Sequence, residues 1–244
     1  MANRLSRLLA VPLILLAAGC NKELPAPQFD YPESKVWVHG ANDTLVAQQK
    51  SEIFDGLELD VNYSEYQKKL FIGHELYDTI HGVTLEQWFA ALPHPQNNYY
   101  WVDMKNLTAQ TAPDIAHQIK ALTEQYGITG QLLVENTDEK ALKTVKDSGL
   151  HVILWVENTY WTGRCDKNWR KSTTKQIEYL YPDALSCEYR MHPMLTVSFP
   201  NQNIHYWDTP RDYNDTNVAH TQMLLREPAV KVVLVDYPVD ISKD

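Results

Sequence analysis

Short runs of apolar, β-branched and aromatic residues alternate along this chain with windows whose apolar positions recur at near-helical spacing. The runs cover 36–39, 56–62, 99–104, 131–135, 151–156, 184–189, 203–207 and 230–235, most bounded by turn-forming residues, and they read as strands. Between them the spacing predicts helices over 43–52, 84–92, 114–126, 138–148, 173–180 and 217–226. Parallel strands need a crossover connection, and the segments here have crossover length. Eight strands separated by such segments predict a (β/α)8 TIM barrel with parallel strands over residues 35–244. The competing arrangement is an open doubly wound sheet, which more often carries a glycine-rich phosphate turn that this sequence lacks.

The rhythm fails at two places. Residues 157–182 are rich in Trp, Asn, Lys and Arg and read as an insertion into the barrel rhythm, a place to look for specificity. At the start, Arg4 and Arg7 precede an apolar run over 8–18 and then Gly19-Cys20, the layout of a secretory signal too short to span a bilayer. Ala17-Ala18-Gly19-Cys20 also resembles a bacterial lipobox, which implies cleavage after residue 19 and lipidation of Cys20; an ordinary signal peptide is the plainer alternative. Residues 20–34, with Pro25, Pro27 and Pro32, then form a lipidated tether. Asn21 resembles an outer-membrane sorting signal, so the expected location is the cell envelope, anchored in the outer membrane and facing the periplasm.

The net charge is −9, and without residues 1–19 the balance is 20 basic against 31 acidic side chains. No basic stripe is present to neutralise a phosphate backbone, which argues against a nucleic-acid partner. With Cys20 assigned to lipid, Cys165 and Cys187 remain, and an even pair in an oxidising compartment is most simply a disulfide. A thiol nucleophile or zinc ligand is the rival reading, but neither cysteine sits in a CxxC or beside a suitably spaced histidine.

Charged residues collect where strands should end: His39, Glu58, Asp60, Asp103, Lys105, Glu135, Glu157 and Asp208. The C-terminal strand ends of a barrel carry its chemistry, and buried charges are costly unless paired or bound to metal. Glu58 and Asp60 are two apart on one strand, so they share a face; Asp103 and Lys105 repeat that spacing on the next. Three carboxylates make a hard oxygen site for one Mg²⁺ or Ca²⁺, although an ExD pair can equally be a solvated strand end. His39 and His74, near the ends of the first two runs, can exchange protons across a phosphate. His94, His117, His151, His192, His205 and His220 are read as structural, while Trp155, Tyr160, Trp161, Trp169 and Trp207 are candidate pocket walls.

The order His39-Gly40, Glu58-x-Asp60, Gly73-His74, Asp103-x-Lys105 resembles the PLC-like phosphodiesterase barrel superfamily, which holds glycerophosphodiester phosphodiesterases and sphingomyelinase D. Trp37-Val-His-Gly-Ala-Asn42 and Trp101-Val-Asp-Met-Lys105 also resemble menorins, and Val235-Asp-Tyr-Pro238 resembles the last-strand Thr-Asp-x-Pro of the phosphodiesterases. The resemblance implies a metal held by Glu58, Asp60 and Asp103, catalysis by His39 and His74, and a phosphate oxygen neutralised by Lys105. It departs at His39-Gly40, where the phosphodiesterases usually show His-Arg-Gly, and at Asp103, where they usually show Glu. The expected activity is therefore a divalent-metal-dependent phosphoric diester hydrolase or lyase acting on a glycerophosphodiester or lysophospholipid-like substrate. The alternative is a non-catalytic envelope lipoprotein that binds a phosphate-bearing or glycan ligand in the same site.

Overall fold

The computed structural model describes residues 29–157, 167–207 and 214–237. Its strands are β1 (Val36–Val38), β2 (Gly56–Ser64), β3 (Lys69–Ile72), β4 (Tyr99–Met104), β5 (Leu132–Asn136), β6 (His151–Trp155), β7 (Ala184–Glu188), β8 (Ile204–Trp207) and β9 (Val230–Val235). All but β3 pair in parallel around a closed ring, β1-β2-β4-β5-β6-β7-β8-β9. The ring shuts where Val36 faces Val233 on one side of β1 and Trp37 faces Gly56 on the other. The helices are α1 (Thr44–Ser51), α2 (Asp78–His81), α3 (Leu85–Ala91), α4 (Ala112–Tyr126), α5 (Glu139–Asp147), α6 (Lys167–Leu180), α7 (His192–Ser198) and α8 (Asp215–Leu225). This is the (β/α)8 barrel that the strand rhythm predicts.

Local chemistry sets the helix starts. Asp43 and Asp138 each accept two backbone N–H groups at the first turns of α1 and α5, and Thr84 with Gln87 forms a capping box on α3. Asn214 caps α8, and Gly127 ends α4 in the left-handed conformation at φ +70°.

Alternation along each strand divides the core in two. Outward residues such as Leu57, Leu59, Tyr100, Val102 and Leu185 pack under the helices, whereas Trp37, Trp101, Leu133, Ile153, Ala184, Val232 and Leu234 fill the barrel. Trp37 fits because its neighbour is Gly56: a Cβ there would lie 2.0 Å from the indole. Phe29, within the stretch expected as tether, packs edge-on against Tyr31, Tyr99 and His151 and plugs the barrel where β4 and β6 begin. Above it, fully buried His205 takes a 2.9 Å hydrogen bond with the Tyr31 hydroxyl and stacks obliquely near Trp101. With that end filled, polar side chains collect at the other.

Four elements differ from expectation, one of them the single-turn helix α2 over Asp78–His81, which falls in a stretch expected as an excursion. β3 pairs antiparallel with the far half of β2, from Val61 opposite Ile72 to Ser64 opposite Lys69, where a plain excursion was expected. Lys69-Leu-Phe-Ile72 is too short a run to stand out, and it is β2 that templates it. α6 begins at Lys167, six residues before the predicted start, because its first turn is polar and resembles the preceding insertion. α7 is also additional; its Pro193 at the first turn suits a helix start, but β-branched Thr196 and Val197 mask it.

The expected Cys165–Cys187 bridge is not supported. Cys187 is a free thiol with no exposed surface, facing outward from β7 into the layer beneath the helices. An even number of cysteines carries no information on which face of a strand each one takes. Cys165, Cys20 and the signal segment lie outside the described residues.

Candidate metal centre at the barrel mouth

Three carboxylates converge where β4 ends, beside the middle of β2. In register, Asp60 lies opposite Asp103 and Glu58 opposite Trp101, and one oxygen from each of Glu58, Asp60 and Asp103 falls within 4.8 Å of the other two. The turn after β1 fixes two of them. Gly40, at φ +64°, aims its N–H at Glu58 Oε2 at 2.6 Å, and Asn42 donates from Nδ2 to Asp60 Oδ2 at 2.7 Å while accepting the Asp60 N–H at 2.9 Å. Glycine adopts that left-handed conformation without the steric cost other residues meet.

Lys105 bridges two members of the trio, donating to Asp60 at 2.7 Å and to Asp103 at 2.5 Å. Burial alone would lower its pKa, but those two carboxylates outweigh burial and hold it above the ordinary value. Glu58 is pushed well up by burial and by the charges of Asp60 and Asp103, against which the Gly40 N–H is a partial offset. Burial also raises Asp103, opposed by Lys105. Beneath them Glu135, bonded to Trp101 Nε1 at 2.9 Å and to the Ser186 hydroxyl, is pushed up to about 8 by burial and by Asp103.

One ammonium thus faces an excess of buried carboxylate, and the residues present fit a divalent cation. The donors are all hard oxygens, which favours Mg²⁺ or Ca²⁺ over zinc.

All six residues expected from the sequence, His39, Glu58, Asp60, His74, Asp103 and Lys105, line one cavity of about 540 Å³. His39 Nδ1 lies 3.2 Å from Asp236 Oδ1, at the end of β9, and His74 Nδ1 lies 2.8 Å from Glu75 Oε1. Trp155 and Trp207 meet edge to face, with centroids 5.7 Å apart, and form part of the wall. Trp169 does not join them; it is buried against Phe199 in the helical layer. Glu157 is exposed and not among the cavity-lining residues, while Tyr160, Trp161 and Asp208 lie outside the described residues. Sequence reasoning missed Asn42 and Ser186, whose signals are only a polar residue three after His39 and a serine within an apolar strand.

No family model and no curated protein matches this chain. Solved structures do. A glycerophosphodiester phosphodiesterase from Parabacteroides distasonis superposes with a TM-score of 0.61 at 16% identity, covering 84% of this chain and 93% of that one. A phosphodiesterase from Oleispira antarctica, solved with the product sn-glycerol-3-phosphate, gives 0.63 at 13% identity over 85% and 95%. A glycerophosphodiester phosphodiesterase from Agrobacterium tumefaciens gives 0.56 at 13% over 84% and 97%.

Proposed function

We propose that this chain, which has the barrel fold found in glycerophosphodiester phosphodiesterases, is a divalent-metal-dependent phosphodiesterase cleaving a small or lipid-derived phosphodiester at the barrel mouth. The observation that carries the reading is the Glu58, Asp60 and Asp103 trio, three oxygens within 4.8 Å, set in the same cavity as His39 and His74. The Oleispira complex supports a small phosphodiester as substrate.

A divalent ion held by the trio would offset negative charge growing on the phosphoryl oxygens. Lys105 fixes the spacing of Asp60 and Asp103 and leaves an ammonium at the mouth where an anion enters. Asp236 occupies Nδ1 of His39, which leaves Nε2 for proton exchange; Glu75 does the same for His74. As a pair, one imidazole takes the proton of the attacking hydroxyl and the other supplies one to the departing oxygen. The Trp155 and Trp207 walls reduce the water around that exchange, which strengthens every charge interaction inside. The N-terminal sequence supports attachment to a membrane through Cys20 and a place in the cell envelope.

The test is turnover of a panel of glycerophosphodiesters, lysophospholipids and an activated aryl diester with Mg²⁺, with Ca²⁺ and with chelator. Metal-dependent cleavage lost in His39→Ala is expected, and the lysophospholipid product separates hydrolysis from cyclisation. Ligand binding without turnover on any member would overturn the reading in favour of a binding protein.

A further inference from the structure

The turn that carries His74 is unusually apolar on its outside. Among the described residues twelve large apolar side chains are exposed, and four of them, Leu76, Tyr77, Ile80 and Val83, belong to the ten residues 74–83. Leu76 and Ile80 are each 61% exposed and Tyr77 69%. Such concentration on one short segment is costly in water and marks a surface with a partner.

The closed ring locates this turn relative to the Trp155 and Trp207 wall, of which Trp155 is exposed and Trp207 half-buried. In the order β1-β2-β4-β5-β6-β7-β8-β9, β7 stands across the barrel from β2. Trp155 ends β6 and Trp207 ends β8, on either side of β7, so the tryptophan pair sits across the mouth from the 74–83 turn. His74 itself lines the cavity between them. An acidic bowl framed on opposite sides by apolar side chains suits an amphiphilic layer, whose headgroup enters the bowl while the rim meets the apolar boundary.

We propose that the mouth docks onto a zwitterionic phospholipid surface, with Leu76, Tyr77 and Ile80 on one side and Trp155 and Trp207 on the other entering the layer. The inference deepens the phosphodiesterase reading and rests on it for the identity of the headgroup in the bowl. Charge selects the kind of surface: the chain carries −9, and Glu75 and Asp78 lie within the apolar turn itself, so an anionic surface would repel it. Aromatic side chains on the opposite rim suit the headgroup level, where one end is apolar and the other wet.

The experiment places a polarity-sensitive fluorophore at Leu76→Cys in the full chain, with Cys20→Ser and Cys165→Ser and with buried Cys187 retained, in chelator so that no turnover is required. Tyr179→Cys, on α6 and 50% exposed, serves as the control position. Phosphatidylcholine vesicles should shift the Leu76 emission to the blue and leave the Tyr179 emission unchanged. Equal responses at both positions, or none at Leu76, would overturn the proposal. So would a shift at Leu76 without vesicles accompanied by a doubled mass in light scattering, which would assign the patch to a second copy. In addition, Leu76→Ser with Ile80→Ser should lower cleavage of micellar lysophosphatidylcholine roughly tenfold, and its thermal melt checks that the fold is kept. Turnover of soluble glycerophosphocholine with no Leu76 response would retain the phosphodiesterase and remove the docking surface; a Leu76 response without turnover of any diester would do the reverse.

Discussion

Asn42 and Asp60 clasp each other twice, side chain to side chain at 2.7 Å and Asp60 N–H to Asn42 Oδ1 at 2.9 Å, so a residue outside the trio sets the rotamer of one of its carboxylates. The clasp joins the turn after β1, beside His39, to the middle of β2, the strand that carries Glu58 and Asp60. Removing the amide frees the Asp60 carboxylate to turn toward Lys105 alone.

Asn42→Ala should therefore weaken binding of Mg²⁺ or Ca²⁺ roughly tenfold, the size of effect usual for a residue that orients a ligand. Titration calorimetry checks it. Glu58→Ala and Asp60→Ala should abolish the same binding, and unchanged affinity in all three variants would remove the metal from this site.

Asp236 faces His39 across the seam between β9 and β1, with 3.2 Å between Oδ1 and Nδ1. A carboxylate there fixes the ring and supports the charged imidazole during proton transfer. Asp236→Asn should lower kcat about 10- to 100-fold with little change in KM, and His39→Ala about 100-fold or more. A rise in KM at constant kcat would show Asp236 acting on substrate binding instead.

Buried His205 gives the fold a pH dependence. Burial lowers its pKa to about 3, outweighing the charge of Asp183. The unfolded chain protonates this residue near pH 6.5, so the unfolded state binds the extra proton first. Stability is complete above that value and falls by about 1.4 kcal/mol per pH unit as pH drops toward 3. Urea unfolding at pH 7 and pH 5 should differ by about 2 kcal/mol from this residue, and His205→Gln should remove that difference from the slope, whatever its own stability.

Gly56 is required by its neighbour, because a Cβ would lie 2.0 Å from the Trp37 ring, in a barrel interior with no slack. Gly56→Ala should cost about 2 to 3 kcal/mol in denaturant unfolding. Trp37→Phe in the same chain should recover part of that loss, which a purely conformational effect of alanine would not allow.

What the sequence by itself determined is local. Most strand and helix periods and the spacing of Glu58-x-Asp60 and Asp103-x-Lys105 depend on neighbours a few residues away and are kept in the structure, where Asp43, Thr84 and Asp138 cap the helices they precede. Tertiary structure decided the rest, because ring closure and strand register bring together residues that no one-dimensional period relates. It chose Glu135, under the trio, over exposed Glu157; it turned Cys187 outward into the core; it drew β3 from a short run by offering the free half of β2. It also set Asp236 against His39 at a separation of 197 residues. Local patterning states which side chains face inward, but which of them meet depends on the stagger of parallel strands around a closed barrel, a property of all eight together.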